Sequence, residues 1–227
     1  MTITTAQPTN LQNGKFMNKA AKIGIIALAT IAVMTVGVIV FKKKLGKTQV
    51  ALPSGKTINV SPEAAAIIAE AQKWVGVKEV GNNAGWENKD FEKLMIAAGW
   101  AKNAKDPNNR AYCASFVKMV LLQVSSGKAK EFFKKKLSAL AKNTWVVLQN
   151  TEYSEKIDKP EAGAILCYEH HNEICESTDG KNNTVISANS PLGNDRNVQG
   201  VTRRTRGAGL GLGDDPFLGY IRIKKLS

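Results

Sequence analysis

The chain carries three cysteines and two histidines, and one cysteine stands where a thiol can become a nucleophile. Cys113 follows Tyr112 and opens the run Cys113-Ala114-Ser115-Phe116-Val117. Phe116, Val117, Val120, Leu121 and Val124 recur three and four apart, which predicts a helix beginning near Cys113 with one apolar stripe facing a core. A thiol in the first turn meets unpaired backbone N–H groups and the positive end of the helix dipole. Both favour the thiolate, which is the nucleophilic form. A cysteine that merely packs fits the same local pattern, so the rest of the chain must decide. A thiol nucleophile needs a general base, and the two histidines are adjacent in His170-His171-Asn172-Glu173-Ile174. Read as a strand, this run puts His171, Glu173 and Cys175 on one face and His170 on the other. A one-residue slip in register exchanges the two candidates.

Other blocks surround this pair. Upstream lies Ala71-Gln72-Lys73-Trp74-Val75-Gly76-Val77-Lys78-Glu79-Val80-Gly81; downstream lie Glu161-Ala162-Gly163-Ala164-Ile165 and Val185-Ile186-Ser187-Ala188-Asn189. In this order, from about Ser61 to Ile223, the blocks resemble the CHAP family of papain-like cell-wall hydrolases and the related NlpC-type cysteine peptidases. The resemblance implies a Gly-x-x-Glu segment closing the first helix, the cysteine heading a central helix, the histidine beginning a strand of an antiparallel sheet, and a polar third residue on the next strand. In the family an apolar residue stands three after the histidine, which matches His171 with Ile174 and places His171 ahead of His170. Two departures stand out: Ala111-Tyr112 replaces the usual Pro-Trp before the cysteine, and Ser187 stands where an acid is common. Asn189 is therefore the expected third member, orienting the imidazole. The catalytic set so implied is Cys113, His171 and Asn189, with no cofactor and no metal.

The elements that must position these residues can be read in outline. Ser61-Pro62-Glu63 supplies an N-cap, a proline at the first helical position and an early acid. Ala64, Ile67, Ile68, Ala71 and Trp74 continue that helix toward Gly76. A second helix runs from about Asn88 to Gly99, a loop from Lys102 to Arg110 leads to Cys113, and a further amphipathic helix covers Ala129 to Leu140. Thr144 to Leu148 reads as the start of a connecting strand or turn. Ala164 to Tyr168, Asn172 to Glu176, Thr184 to Ala188 and Leu218 to Ile223 are strand-like, and the glycine-rich stretch Arg203 to Asp215 reads as a loop. Helices first and strands afterwards predict an α+β domain. With the resemblance, this is a papain-like fold whose N-terminal helices pack on a C-terminal antiparallel sheet.

Ile23 to Phe41 is an uncharged, apolar run flanked by lysines. It predicts one transmembrane helix and organises the chain as a disordered basic leader at 1–22, an anchor at 23–41, a basic juxtamembrane linker at 42–60 and a hydrolase domain at 61–227. Met17 is an alternative start. The net charge is +13, of which seven charges are lysines in the acid-free first 47 residues. That distribution argues for anionic head groups rather than nucleic acid as the partner of the excess charge. Arg203-Arg204-Arg206 and Lys134-Lys135-Lys136 read as solvated surface. Three cysteines cannot all pair within one chain; Cys167 and Cys175 either form a disulfide or pack, and without a Cys-x-x-Cys pair they do not suggest zinc.

The expected protein is thus a membrane-anchored cysteine hydrolase of the peptide part of peptidoglycan, an endopeptidase or an N-acetylmuramoyl-L-alanine amidase, serving wall remodelling or phage lysis or entry. Its expected partners are peptidoglycan and membrane lipid. Its expected location is a single-pass membrane protein with the catalytic domain facing the wall. An inactive wall-binding or structural protein on the same fold, and a papain-like protease of proteins, are the alternatives.

Overall fold

The computed structural model describes residues 41–44, 46–80, 85–100, 112–192 and 195–227. These hold a small antiparallel sheet of β1 (Phe41–Lys44), β2 (Lys47–Ala51) and β3 (Thr57–Val60), followed by five helices. The helices are α1 (Pro62–Gln72), α2 (Lys89–Ala97), α3 (Tyr112–Val124), α4 (Gly127–Lys136) and α5 (Ala141–Leu148). Six strands then follow: β4 (Ser154–Ile157), β5 (Ile165–Tyr168), β6 (Asn172–Thr178), β7 (Asn182–Leu192), β8 (Asp195–Gly207) and β9 (Phe217–Ile223). They pair antiparallel in the order β4-β9-β5-β6-β7-β8.

Local signals set the helix starts. Ser61 Oγ accepts the Ala64 N–H at 3.1 Å, and Asn88 Oδ1 accepts from both Asp90 and Phe91. Each cap satisfies donors that the first turn leaves open. Helix α3 is buried from Tyr112 to Leu122, as befits a helix apolar nearly all round. It packs on α1, α2, α4 and on β6 and β7. The sheet's alternation divides its side chains between two cores. Ile165, Cys167, Ile174, Ile186 and Ile221 meet Phe91, Phe116 and Val120 of the helices. Leu166, Tyr168, Cys175, Val185 and Tyr220 form the opposite core with Phe217 and Leu212.

The α+β order of helices and strands is present, but the expected membrane element is corrected. Among the described residues no helix is long and apolar enough to cross a membrane. The longest, α3, has 13 residues, about 20 Å at the helical rise against a hydrocarbon core of about 30 Å. The expected span 23–41 lies outside the described residues except for Phe41, and Phe41 is in strand β1, paired with Gln49. Its backbone groups are thus committed to a ladder between chains of residues rather than to a helix. The transmembrane helix and the single-pass membrane location are withdrawn on these grounds. The expected leader at 1–22 also lies outside the described residues.

Three further expectations differ from the structure. Residues 47–60 form the β2–β3 hairpin instead of a linker, because Val50, with Ile58 and Val60 beside it, packs on Ala65 and Ile68 of α1. Residues 141–148 form α5 instead of a strand or turn. Its Trp145 lies over Gly219 of β9, where an added Cβ would meet the indole at 2.5 Å, so packing overrides the β-forming residues Thr144 to Val147. Arg203 to Gly207 belongs to β8 rather than to a loop, since buried carboxylates of β6 hold its arginines.

Candidate active site

The β5–β6 hairpin turns at Glu169 and His170. Tyr168 N–H bonds His171 O at 2.9 Å, and the tip is clamped to the chain near β9 by Glu169 N–H to Pro216 O and His170 N–H to Asp215 Oδ1. His170 is therefore at an exposed tip while His171 lies on the flank, its side chain 13% exposed. Across from it stands the start of α3. The Cys113 thiol, fully buried, lies 3.8 Å from His170 O. Asn172 fixes the same hairpin to α5, donating from Nδ2 to Thr144 Oγ1 at 2.9 Å and to Ala141 O at 3.2 Å. Ala141 in turn packs with Cys113 and Ala114.

The imidazole is held from behind. His171 Nε2 is 2.8 Å from Ser187 Oγ and 3.5 Å from Glu173 Oε1. With Nε2 so occupied, Nδ1 is the nitrogen left to the thiol. Glu173 is fully buried and is gripped by Arg206 Nη2 at 3.1 Å and Tyr168 Oη at 3.4 Å. Ser187 Oγ continues to Ser190 Oγ at 2.9 Å. A relay of contacts thus runs from Arg206 through Glu173 to His171 and on to Cys113.

The electrostatics follow from this arrangement. Burial would lower the His171 pKa, but the negative charge and hydrogen bond of Cys113, then the hydrogen bond and charge of Glu173, raise it to about 10. Burial pushes the Glu173 carboxyl up, yet His171 and Arg206 carry it below the ordinary value. Cys167 and Cys175 are free thiols in different cores, on opposite faces of the sheet. Burial raises both, Cys175 to about 12, which leaves them unreactive packing residues.

The structure brings Cys113 and His171 together and leaves Asn189 apart. Asn189 is exposed with φ +60°, inside the bulge between Ser187 and Ser190, and the groups at His171 Nε2 are Ser187 and Glu173. The bulge breaks the alternation that would have carried Asn189 to the imidazole. Glu173 was not singled out from sequence, although its place two residues after His171 on the same strand face was the available signal. The Gly76-to-Glu79 segment also has a visible purpose: Glu79 Oε2 accepts the Tyr112 hydroxyl at 2.7 Å, and Glu79 N–H bonds Gln199 O. It ties the residue before Cys113 to β8. Burial, reinforced by Glu79, raises the Tyr112 phenol and keeps it neutral. Trp86 and Trp100 pack in the core with Tyr112.

Among the described residues no cluster of His, Cys, Asp and Glu could hold a metal ion. A cavity of about 640 Å³ between the β2–β3 hairpin, α1 and β9 is lined by neither Cys113 nor His171. No family model, curated protein or solved structure matches this chain.

Proposed function

We propose that the protein is a cysteine-dependent hydrolase of amide bonds in the peptide part of peptidoglycan. The observation that carries the chemistry is the His171 imidazole, placed beside the Cys113 thiol and against the Ser187 hydroxyl and the Glu173 carboxylate, with its pKa raised by Cys113 and Glu173. The substrate class rests on the order of the sequence blocks, which resemble wall hydrolases.

The chemistry runs through an acyl-enzyme. The Cys113 thiolate attacks the carbonyl carbon, and backbone N–H groups at the start of α3, that of Cys113 included, face the developing oxyanion. The His171 imidazolium gives its proton to the amine nitrogen as the C–N bond breaks, leaving a thioester. Neutral His171 then takes a proton from water, whose oxygen attacks the thioester; the thiolate departs and the imidazolium is restored. Ser187 and Glu173 fix the ring and stabilise its charge, the second by supplying the carboxylate that position 187 lacks.

Incubating the protein with purified sacculi, and reading the released amino and carboxyl ends by mass spectrometry, tests this reading and separates endopeptidase from amidase. One observation favours a second reading, an inactive wall-binding protein: Cys113 exposes no surface. Sedimentation with sacculi without new ends would support it. Digestion of casein but not of sacculi would point to a protease of proteins.

A further inference from the structure

The outer face of β8 carries a second cavity, about 390 Å³, lined by Pro191 and by residues 202 to 206. It borders the candidate active site through two contacts. Thr202 is the register partner of Ser187, whose hydroxyl bonds His171, and Arg206 grips Glu173. Its volume falls in the range of small-ligand sites.

Arg204 is the arginine of this cavity that no described carboxylate side chain neutralises. Arg203 is matched by Glu176, with Nε–Oε2 at 2.6 Å, and Arg206 by Glu173. Among the described side chains no carboxylate pairs with Arg204: its Nε donates to Thr202 Oγ1 at 3.2 Å and its Nη2 to Pro191 O. Both acceptors are neutral and hold the guanidinium in one orientation. Burial and the neighbouring Arg206 charge lower its pKa, against a smaller opposing pull from Glu173. Of the two guanidinium groups on this wall, Arg206 has a buried carboxylate partner and Arg204 is held by neutral acceptors, so a second anion would relieve the imbalance. A fixed, planar, half-buried guanidinium suits a carboxylate, which it can bind through two parallel N–H···O bonds.

We propose that this cavity is a substrate subsite in which Arg204 binds a free carboxylate of the peptide being cleaved. The proposal rests on the hydrolase reading for its choice of ligand, since stem peptides of peptidoglycan carry free carboxylates. It makes Arg204 a specificity residue that touches substrate without taking part in the bond-breaking steps.

The test titrates full-length Cys113→Ala protein, which cannot turn over, with L-Ala-γ-D-Glu-L-Lys and with the same tripeptide carrying carboxamides in place of carboxylates. The free acid should bind at least ~10-fold more tightly, as expected for hydrogen bonds to a charged group. Arg204→Gln should erase that preference, and Arg204→Lys, which keeps the charge but not the fork, should restore part of it. Equal binding of the two peptides, no binding of either, or a preference untouched by Arg204→Gln would overturn the subsite. So would inorganic phosphate displacing the tripeptide at equal or lower concentration, since the cavity would then be a site for any small anion. Hydrolysis by the Cys113 protein is scored separately. Carboxylate-selective binding without cleavage of tripeptide or sacculi would sink the hydrolase reading and leave the subsite standing. Cleavage of acid and amide with the same KM would do the reverse.

Discussion

Glu173 and Glu176 are buried carboxylates on the same strand, each answered by an arginine of β8 reaching over β7, yet they face opposite sides of the sheet. Glu176 lies on the helix side, where Arg203 and the Gln72 amide of α1 hold it. It joins the first helix to the sheet and touches no candidate catalytic group. Glu173 lies on the other side, where it contacts the His171 ring as well as Arg206 and Tyr168. The same pairing of residue types thus yields a structural tie on one face and a positioning group on the other. Strand phase alone decides which is which, so identity and burial of a carboxylate say little until its face is known.

The largest effect should come from the ring on which the outer pair acts. His171→Ala should lower the hydrolysis rate constant at least ~100-fold, the low end of what positioned proton transfer contributes. A smaller loss would mean that the outer carboxylate has no catalytic ring to position. Glu173→Gln should follow, lowering the rate roughly 10-fold or more through loss of orientation and charge at the imidazole. It should also move the alkaline limb of the pH–rate profile from near 10 toward 6.5, the ordinary imidazole value. The sign follows from the raised pKa. Stability contributed by protonated His171 is whole below 6.5 and is lost as pH rises through about 10. Thermal unfolding of the wild-type protein followed across that range should therefore show stability falling on the alkaline side.

Glu176→Gln should have the opposite profile. Breaking a buried pair leaves Arg203 without its counter-ion and should lower unfolding stability by ~3 kcal/mol, while the folded fraction turns over within about 2-fold of wild type. If Glu176→Gln and Glu173→Gln altered rate and stability alike, the division of labour between the faces would be wrong. The smallest effects belong to residues outside the relay. His170→Ala at the exposed hairpin tip, and Asn189→Gly, which keeps the left-handed backbone and removes only the side chain, should each change the rate by less than about 2-fold. A 10-fold loss in Asn189→Gly would restore that residue to the site.

The legible parts of this molecule are those whose signals are local. The caps at Ser61 and Asn88, the apolar spacing behind Cys113, and the two-residue period that sets His171 apart from His170 all sit within a few residues of what they specify. The rest depends on partners distant in sequence. Arg203 to Arg206 reads as polar loop because nothing nearby indicates that Glu173 and Glu176, some thirty residues earlier, compensate its burial. Thr144 to Val147 has β-forming residues, and it is Gly219, far along the chain, that gives Trp145 a surface on which to lie as part of a helix. Asn189 follows the expected alternation until a bulge interrupts it. Lysines after an apolar run are equally at home beside a membrane and in a strand, and the pairing of Phe41 with Gln49 separates the two.

The most direct measurement is the titration of His171 followed by nitrogen NMR on selectively labelled full-length protein, in wild type, Cys113→Ala and Glu173→Gln. A ring protonated well above 6.5 is expected, titrating near 10 in the wild type and lower in each variant, because Cys113 and Glu173 together outweigh burial. A wild-type ring titrating at or below 6.5, unmoved by either substitution, would show that burial governs it and that Cys113, His171 and Glu173 do not form a catalytic relay.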